Sequence, residues 1–446
     1  MAISEVTMLN WTLGNLTASL EETKANYNEA LDTIWMLLAA LLVFFMHAGF
    51  SLLEAGSVRL KNTQNILAKN LMVVTIGFLC WWVTGWAFAY GAAGDDPNQF
   101  IGGKNFFAMG FLDDKTLFRQ WFFQGAFCAT AGTIVSGAMA ERTKLAGFAI
   151  YIIFMTAFLY PVIVYWGWSG AGFLYHETGS IIGPAYMDFA GSGLVHMVGG
   201  VGALCGAVIV GPRYKRWESE EDFAAHSIPF CVLGTFCLWF GWYGFNPGST
   251  LAMNTADSAY TAGIVAVNTT LSPCVAGLLV FALRATVCPP KLLDVGGFCN
   301  GILAGLVAIT AGCAAMKTWE ALLTGLIGGL VYQGASMLMQ KLRVDDVVDA
   351  FAVHGATGFW GVFALGLFGE NGVFYGGNQL GVQCLGLLFI ALWVACLSVL
   401  ALLPLKFVGF LRLSDDFQEQ GADVVEHSPS KAYGQQENGN EEPVKV

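Results

Sequence analysis

Charge is scarce in this chain of 446 residues, with Asp, Glu, Lys and Arg together at 12%, against about 25% in soluble domains. That is too little to solvate the surface of a globule this size, so a string of soluble domains is excluded and lipid must cover most of the outside. Paired cysteines are lacking too. The eleven cysteines contain no CxxC pair and lie within or beside apolar runs. They read as small core residues rather than as a disulfide framework or a metal site, and no cofactor is expected. A basic front is missing from the first thirty residues, where Asn10, Asn15, Glu21, Glu22 and Lys24 stand, which excludes a cleavable signal peptide. Every lysine lies near the end of an apolar run or outside one, so a retinal Schiff base has no place. An intramembrane enzyme would need a nucleophile or metal constellation, and the sequence offers none. The net charge of −11 argues against nucleic acid as a partner.

What the chain has in quantity is apolar surface and glycine: 56% hydrophobic residues and 55 glycines, with a mean hydropathy of +0.59. Small residues let membrane helices approach closely. A spanning helix needs about 20 mostly apolar residues. Such runs fall at 31–56, 66–92, 119–140, 145–166, 189–211, 227–246, 259–284, 296–314, 319–340, 350–369 and 380–407. They predict an all-α polytopic membrane protein with eleven transmembrane helices. Lysine and arginine gather in alternate loops, at Arg59 and Lys61, Arg142 and Lys144, Arg213, Lys215 and Arg216, Lys291, Lys341 and Arg343, and Arg412. Those loops are therefore expected in the cytoplasm, with the N-terminus outside and the C-terminus inside. Residues 1–30 become an extracellular segment, 31–407 the membrane domain and 408–446 a cytoplasmic tail. The sequons at Asn10 and Asn15 fall in the outside segment as candidates for glycosylation, whereas the one at Asn268 lies too deep in the seventh run. Ten helices and one more suggest two five-helix halves inserted in opposite senses. A trace of such a repeat is visible: Asp188 stands eight residues before His196, Asp346 eight before His354, with Val-His in both.

A charged group within hydrocarbon costs about 2.5–3.5 kcal/mol on insertion scales, so titratable residues inside the runs are functional candidates. His196 lies in GSGLVHMVGG of the fifth run and His354 in AFAVHGATG of the tenth. They either hydrogen-bond neighbouring helices separately or face one another. A neutral imidazole has one donor and one acceptor, and a facing pair would line a narrow path for a small neutral hydrogen-bonding molecule. Phe123 and Phe127 are four apart and share a helix face; Trp242 and Phe245 lead to Ser249, and Trp168 closes YWGWSG. These rings form an interfacial belt, or face inward and hold a small cation. Asp188 is a helix N-cap or a functional carboxylate, and Glu54 is expected to pair with Arg59 or Lys61.

The segments GFSLLEAGSVRLKNTQNIL, FFQGAFCATAGTIVSGAMAER, DFAGSGLVHMVGG, GWYGFNPGST and DAFAVHGATG, in this order, closely resemble the signature segments of the ammonium transporter and methylammonium permease family. GADVVEHSPSKAY resembles that family's cytoplasmic tail motif, so the resemblance covers residues 31–433. It implies eleven helices, a pseudo-twofold between helices one to five and six to ten, and a homotrimer in the plasma membrane with one pore per subunit. It implies transport of ammonium or ammonia, and of methylammonium. Phe127, Trp168 and Ser249, with Trp242 nearby, would recruit the cation; Phe127 and Phe245 would be the stacked gate; Asp188 would be the buried carboxylate of the deprotonation step; His196 and His354 would be the twin histidines of the pore. The related Rhesus glycoproteins generally lack the outer tryptophan and the serine, so Trp168 and Ser249 favour the ammonium transporter branch. Some members of the family sense ammonium, but the tail is short and holds no signalling domain, so sensing ranks second, as an addition to transport. The tail departs from the family at Ser428-Pro429-Ser430, which makes Ser428 and Ser430 candidate phosphorylation sites for a kinase, with Ser428-Pro429 resembling a proline-directed one. With eight acids against two lysines in 414–446, it should not fold alone and is expected to dock on the basic loops.

Overall fold

A computed structural model of the chain describes residues 2–94, 97–175, 183–219 and 221–433, with side chains from Thr7 onward except that of Glu221. The described secondary structure is helical, apart from isolated bridges such as that between Thr143 and Arg412. In order, the long helices are α1 (Ala2–Ser57), α2 (Leu60–Tyr90), α3 (Thr116–Ala138), α4 (Leu145–Trp168), α5 (Ser192–Val210), α6 (Ile228–Phe245), α7 (Ala256–Thr286), α8 (Val295–Thr310) and α9 (Thr318–Lys341). They are followed by α10, a π turn Phe351–Ala356 running into Thr357–Phe368, and by α11 (Gln379–Phe407). Two short helices, α12 (Asp415–Gln420) and α13 (Ala422–Glu426), form the tail.

Among the described residues nine helices are long and apolar enough to cross a membrane: all of these except α3, α8 and the two in the tail. α8 is apolar but has only 16 residues. α3 has 23 residues, carries Arg119, Gln120 and Gln124 near its start, and is buried without interruption from Gly125 to Ala138. A helix wrapped by other helices needs no lipid-facing stripe.

The first apolar run begins at residue 31, but α1 begins at Ala2 and extends for 56 residues. No proline and only Gly14 fall among the first 48 residues, so nothing halts the helix. At 1.5 Å per residue it is about 84 Å long, where hydrocarbon is about 30 Å thick, so much of α1 lies beyond any bilayer. α1 packs on α6 backbone to backbone: a Cβ on Gly234 would lie 2.5 Å from the amide nitrogen of Leu53.

Glu54 does not pair with Arg59 or Lys61. It is buried and accepts hydrogen bonds from Asn70 Nδ2 and Ser136 Oγ, both at 2.8 Å, while Thr133 Oγ1 donates to Asn70 Oδ1. This cluster ties α1, α2 and α3 together. Arg59 turns instead to Glu141, which also accepts from Asn62 and from Arg213 at 2.7 Å. Arg213, just after α5, grips Asp345, just before α10, through its amide, Nε and Nη2. Burial pushes both carboxyls up, but the arginines outweigh it: Arg213 and Arg59 hold Glu141 below its ordinary value, and Arg213 and Arg142 hold Asp345 far below. The resulting ionic collar carries the tail. Asp423 accepts from the amides of Gln64 and Asn65 at 2.9 Å, at the start of α2. Asn62 Oδ1 accepts from the amide of Ala422, Gln418 Oε1 from that of Tyr214, and Lys215 pairs with Glu419 at 3.1 Å.

Candidate functional site

On the side opposite the tail, a cavity of about 360 Å³ opens among α1, α2, α3, α4 and the turn after α6, lined by Trp86, Tyr90, Gln124, Phe127, Trp168 and Ser249 among others. Phe127, Trp168 and Ser249 thus meet here, as sequence spacing alone could not establish. Ser249 follows α6, and its hydroxyl donates to the carbonyl of Phe245 at 2.8 Å, so the oxygen's remaining capacity is as an acceptor. Trp168 closes α4, stands edge-on to Phe127 with centroids 6.0 Å apart, and donates its indole N–H to the Asp188 carbonyl.

The floor of the cavity is closed. Phe127 and Phe245 stack with centroids 4.1 Å apart and planes 25° from parallel, and Phe123 packs on Phe127 at 4.7 Å. Phe245 in turn lies 5.2 Å from His196. Trp242 does not line this cavity with Phe127, Trp168 and Ser249. It is three residues deeper on α6 than Phe245, about 4.5 Å along the axis, and lies flat on His196 at 4.9 Å and 14°. Its N–H is held by Thr310 Oγ1 at 3.0 Å, a partner no sequence pattern announces.

His196 and His354 face one another. Their rings are nearly parallel, with centroids 5.2 Å apart, and the two Nδ1 atoms are 3.2 Å apart. One Nδ1 must therefore carry a proton and the other accept it. His196 Nε2 is buried with no hydrogen-bond partner among the described residues. Below His354, Phe50, Leu53, Glu54, Ile134, Asn300 and Val348 border a space of about 10 Å³, about that of one water probe. The backbone explains the pairing. α5 opens with the π turn Ser192–Met197 and α10 with its own π turn, each carrying one histidine. The two helices touch where a Cβ on Gly200 would come 2.1 Å from the amide nitrogen of Gly355, so only glycine permits the approach that brings the imidazoles together.

Asp188 is placed as a cap. Its two oxygens accept from the amides of Gly191, Ser192, Gly193 and Leu194 at 3.1, 2.8, 2.8 and 2.8 Å. Gly191, at φ +104°, supplies the left-handed turn that aims these donors at one carboxylate. Sequence reasoning misses several residues that build this site. Asp32 accepts from the Met253 amide and Asn254 side chain, and Trp35 donates to Thr250, fixing the loop after Ser249. Phe50 and Glu54 border the inner space; a buried acid flanked by small residues is the available signal for Glu54.

An all-helical membrane bundle with an aromatic mouth, a closed pair of rings and two facing imidazoles is a transporter-like architecture rather than a soluble binding fold. The chain belongs to the Ammonium Transporter Family, whose profile matches residues 34–433. It is 35% identical to ammonium transporter 1 member 3 of Solanum lycopersicum, over 94% of this chain and 96% of that one. Among solved structures it is similar to one described as a sensor Amt protein, with a TM-score of 0.81 and 33% identity over 90% of this chain and 99% of the other. It also resembles Mep2 of Candida albicans, with a TM-score of 0.78 and 27% identity over 91% and 93% of the two chains.

Proposed function

We propose that this protein carries ammonium across the plasma membrane, recruiting the cation at Phe127, Trp168 and Ser249, removing its proton, and passing ammonia between Phe127 and Phe245 and along His196 and His354. The observation that carries this reading is the closed centre: two stacked rings above two imidazoles joined Nδ1 to Nδ1, with no charged side chain among these four. Moving an intact cation into such a place costs on the order of 20 kcal/mol by Born reasoning. With lysine as a rough analogue, deprotonation two to three units below the pKa costs only about 3–4 kcal/mol. The mouth can still select by charge, since a cation over a ring face gains about 0.5–2 kcal/mol. Potassium has no proton to lose and is rejected at the rings.

The same reading takes α1 to α11 as eleven spans with the N-terminus outside and the tail inside, in two inverted halves. The capped π turns that open both α5 and α10 support it. It takes the assembly as a homotrimer, Asn10 and Asn15 as glycan acceptors, and Trp168 with Ser249 as marks of the ammonium transporter branch. Asp188 holds the arm that presents His196, and its charge lies beneath the recruitment site, where it favours a cation. Net charge moves if the proton follows by its own route. The likeness to a structure described as a sensor keeps ammonium sensing as the second reading, added to transport.

Proteoliposomes under an ammonium gradient test the proposal. Inward flux with current, and no current under an equal potassium gradient, is the expected result. Absence of any flux from folded, correctly inserted protein would sink transport and leave sensing.

A further inference from the structure

The outer part of α1 carries an apolar stripe that none of the described residues covers. Leu9, Leu13, Leu16 and Leu20 follow one another at intervals of four, three and four, and Thr23 and Tyr27 continue at three and four. The four leucines are 61–69% exposed and Tyr27 is 69% exposed. Alternating steps of three and four are the a and d positions of a coiled coil, which keep one seam facing a partner helix. Met8 and Trp11 are also exposed but fall on the other side of the helix and are no part of the seam.

The rest of the molecule lies away from this stripe. Arg119 of α3 grips the Glu29 carboxylate and donates to Thr33 Oγ1 at 2.6 Å. At 100° per residue, about 3.6 residues per turn, Glu29 and Thr33 stand on the side of α1 opposite the leucines. The stripe instead runs on into the exposed face of the membrane segment, through Ile34, Leu38 and Leu41, each more than half exposed. Lipid can cover those three, but not the leucines about four to seven turns beyond them on a helix that continues without a break.

We propose that this stripe is the seam of a parallel coiled coil formed with the α1 segments of neighbouring copies of this chain, standing off the outer face of the membrane. Copies inserted in the same sense bring their α1 helices out on one side, so parallel alignment requires no further device. The flanks suit identical partners: Asn10, Thr17 and Lys24 border the seam on one side and Thr12, Ser19 and Asn26 on the other, so Lys24 is the only charge there. Glu21, Glu22 and Glu29 lie farther round the helix. Asn15 faces away from the seam and Asn10 flanks it, so a glycan on Asn15 is compatible with the coil. Most of the stripe lies in residues 1–33, before the segment that the family profile matches. The inference rests on copies lying side by side, as in the assembly proposed above, and not on what they carry.

Cysteine cross-linking in the full chain, in native membranes, tests it. Leu16→Cys on the seam is compared with Ala18→Cys on the outer face, with the unsubstituted chain as background because Cys274, Cys384 and Cys396 are exposed. Under a mild oxidant, Leu16→Cys should give severalfold more covalent dimer than background and Ala18→Cys none in excess. Adding Leu13→Glu and Leu20→Glu to Leu16→Cys should return the dimer to background at unchanged protein abundance. Equal cross-linking at both positions, or a dimer that survives the two glutamates, would overturn the coil. So would absence of cross-linking at Leu16→Cys; if that thiol were then shielded from a water-soluble maleimide, the stripe would belong to lipid. Flux is measured on the same membranes: the expected cross-linking pattern without ammonium flux would remove the transport reading and leave the coil standing.

Discussion

Helices α5 and α10 start from one pattern, an aspartate eight residues before a histidine with a π turn around the histidine, and the structure finishes them differently. Asp188 commits both oxygens to four amides, whereas Asp346 accepts from the Phe351 amide at 2.7 Å and leaves Oδ1 without a hydrogen-bond partner among the described residues. His196 is fully buried against Trp242, while His354 is 5% exposed and borders the inner space. Similar sequence thus builds a tightly tied arm under the mouth and a looser one toward the tail.

The sharpest way to break this comparison is to remove each cap. Asp188→Ala leaves four buried amides without acceptors at about 1–3 kcal/mol each, a large share of the roughly 5–15 kcal/mol that holds a protein together. Folded protein at the cell surface should be lost, and Asp188→Glu should retain part of it. Asp346→Ala should cost about 1 kcal/mol, an ordinary cap, and leave surface abundance near normal. Surface labelling with a melting curve in detergent reads both. If Asp188→Ala reached the surface in normal amount yet carried nothing, its role in deprotonation would outweigh its role as a cap.

The crossing of the arms is also unequal. A Cβ on Gly200 would meet the backbone of Gly355, which cannot yield, whereas a Cβ on Gly355 would meet Phe351 ring atoms at 2.6 and 2.9 Å, which can. Gly200→Ala should therefore destabilise by about 1–3 kcal/mol, as overpacking does, and Gly355→Ala by less. Equal melting temperatures would mean that the backbones part freely.

The elements of this comparison are legible in the sequence itself. The apolar runs, the paired Asp and His spacing, and the ring motifs lie within single segments, where periodicity and local chemistry suffice. What stays hidden depends on partners distant in sequence. Glu54 has basic residues five and seven positions away, but its donors come from Asn70 and Ser136, 16 and 82 positions distant. Trp242 reads as a mouth residue because it neighbours Phe245, and only the helix axis shows it one level down, beside His196. The length of α1 is masked because polarity reads as loop, although the segment lacks any residue that stops a helix. α3 is legible as the run 119–140, but its unbroken burial from Gly125 to Ala138 depends on the helices around it.

The histidines sharpen the comparison through function. Leucine is close in size to imidazole, so His196→Leu and His354→Leu should fold, with melting temperatures near that of the unsubstituted chain. His196 lies between Phe245 and Trp242 at the centre, so His196→Leu should lower ammonium flux more and admit more potassium than His354→Leu. Parallel ammonium and potassium currents in proteoliposomes give the ratio. Two variants that carry ammonium and reject potassium like the unsubstituted chain would end the twin-histidine assignment.

The smallest effect is expected from the tail, which touches the arms unequally. It holds the inner end of α5 directly, through Gln418 to the Tyr214 amide at 3.0 Å and Arg412 to the carbonyls of Val210 and Pro212. It reaches α10 indirectly, since the Leu413 amide donates to the Arg142 carbonyl and Arg142 in turn donates to the Asp345 carbonyl. Residues 434–446 lie outside the described residues, but Ser428 and Ser430 lie within them, and Ser430 lines a cleft with Arg59, Lys61 and Lys215. Next to Ser428, the Pro429 carbonyl accepts from Gln64 Nε2 at 2.8 Å in an exposed contact. Loosening such a contact, worth about 0.5 kcal/mol, shifts an equilibrium about twofold. A phosphate adds about −1.5 to −2 charge, for which Ser428→Asp is a partial substitute, beside a tail already rich in acids. Ser428→Asp should therefore lower transport by about twofold at equal surface abundance, by loosening the tail from the start of α2, while Ser428→Ala leaves it unchanged. Equal rates in both, and in a chain truncated after Arg412, would mean that the tail stabilises the inner end of α5 without regulating passage.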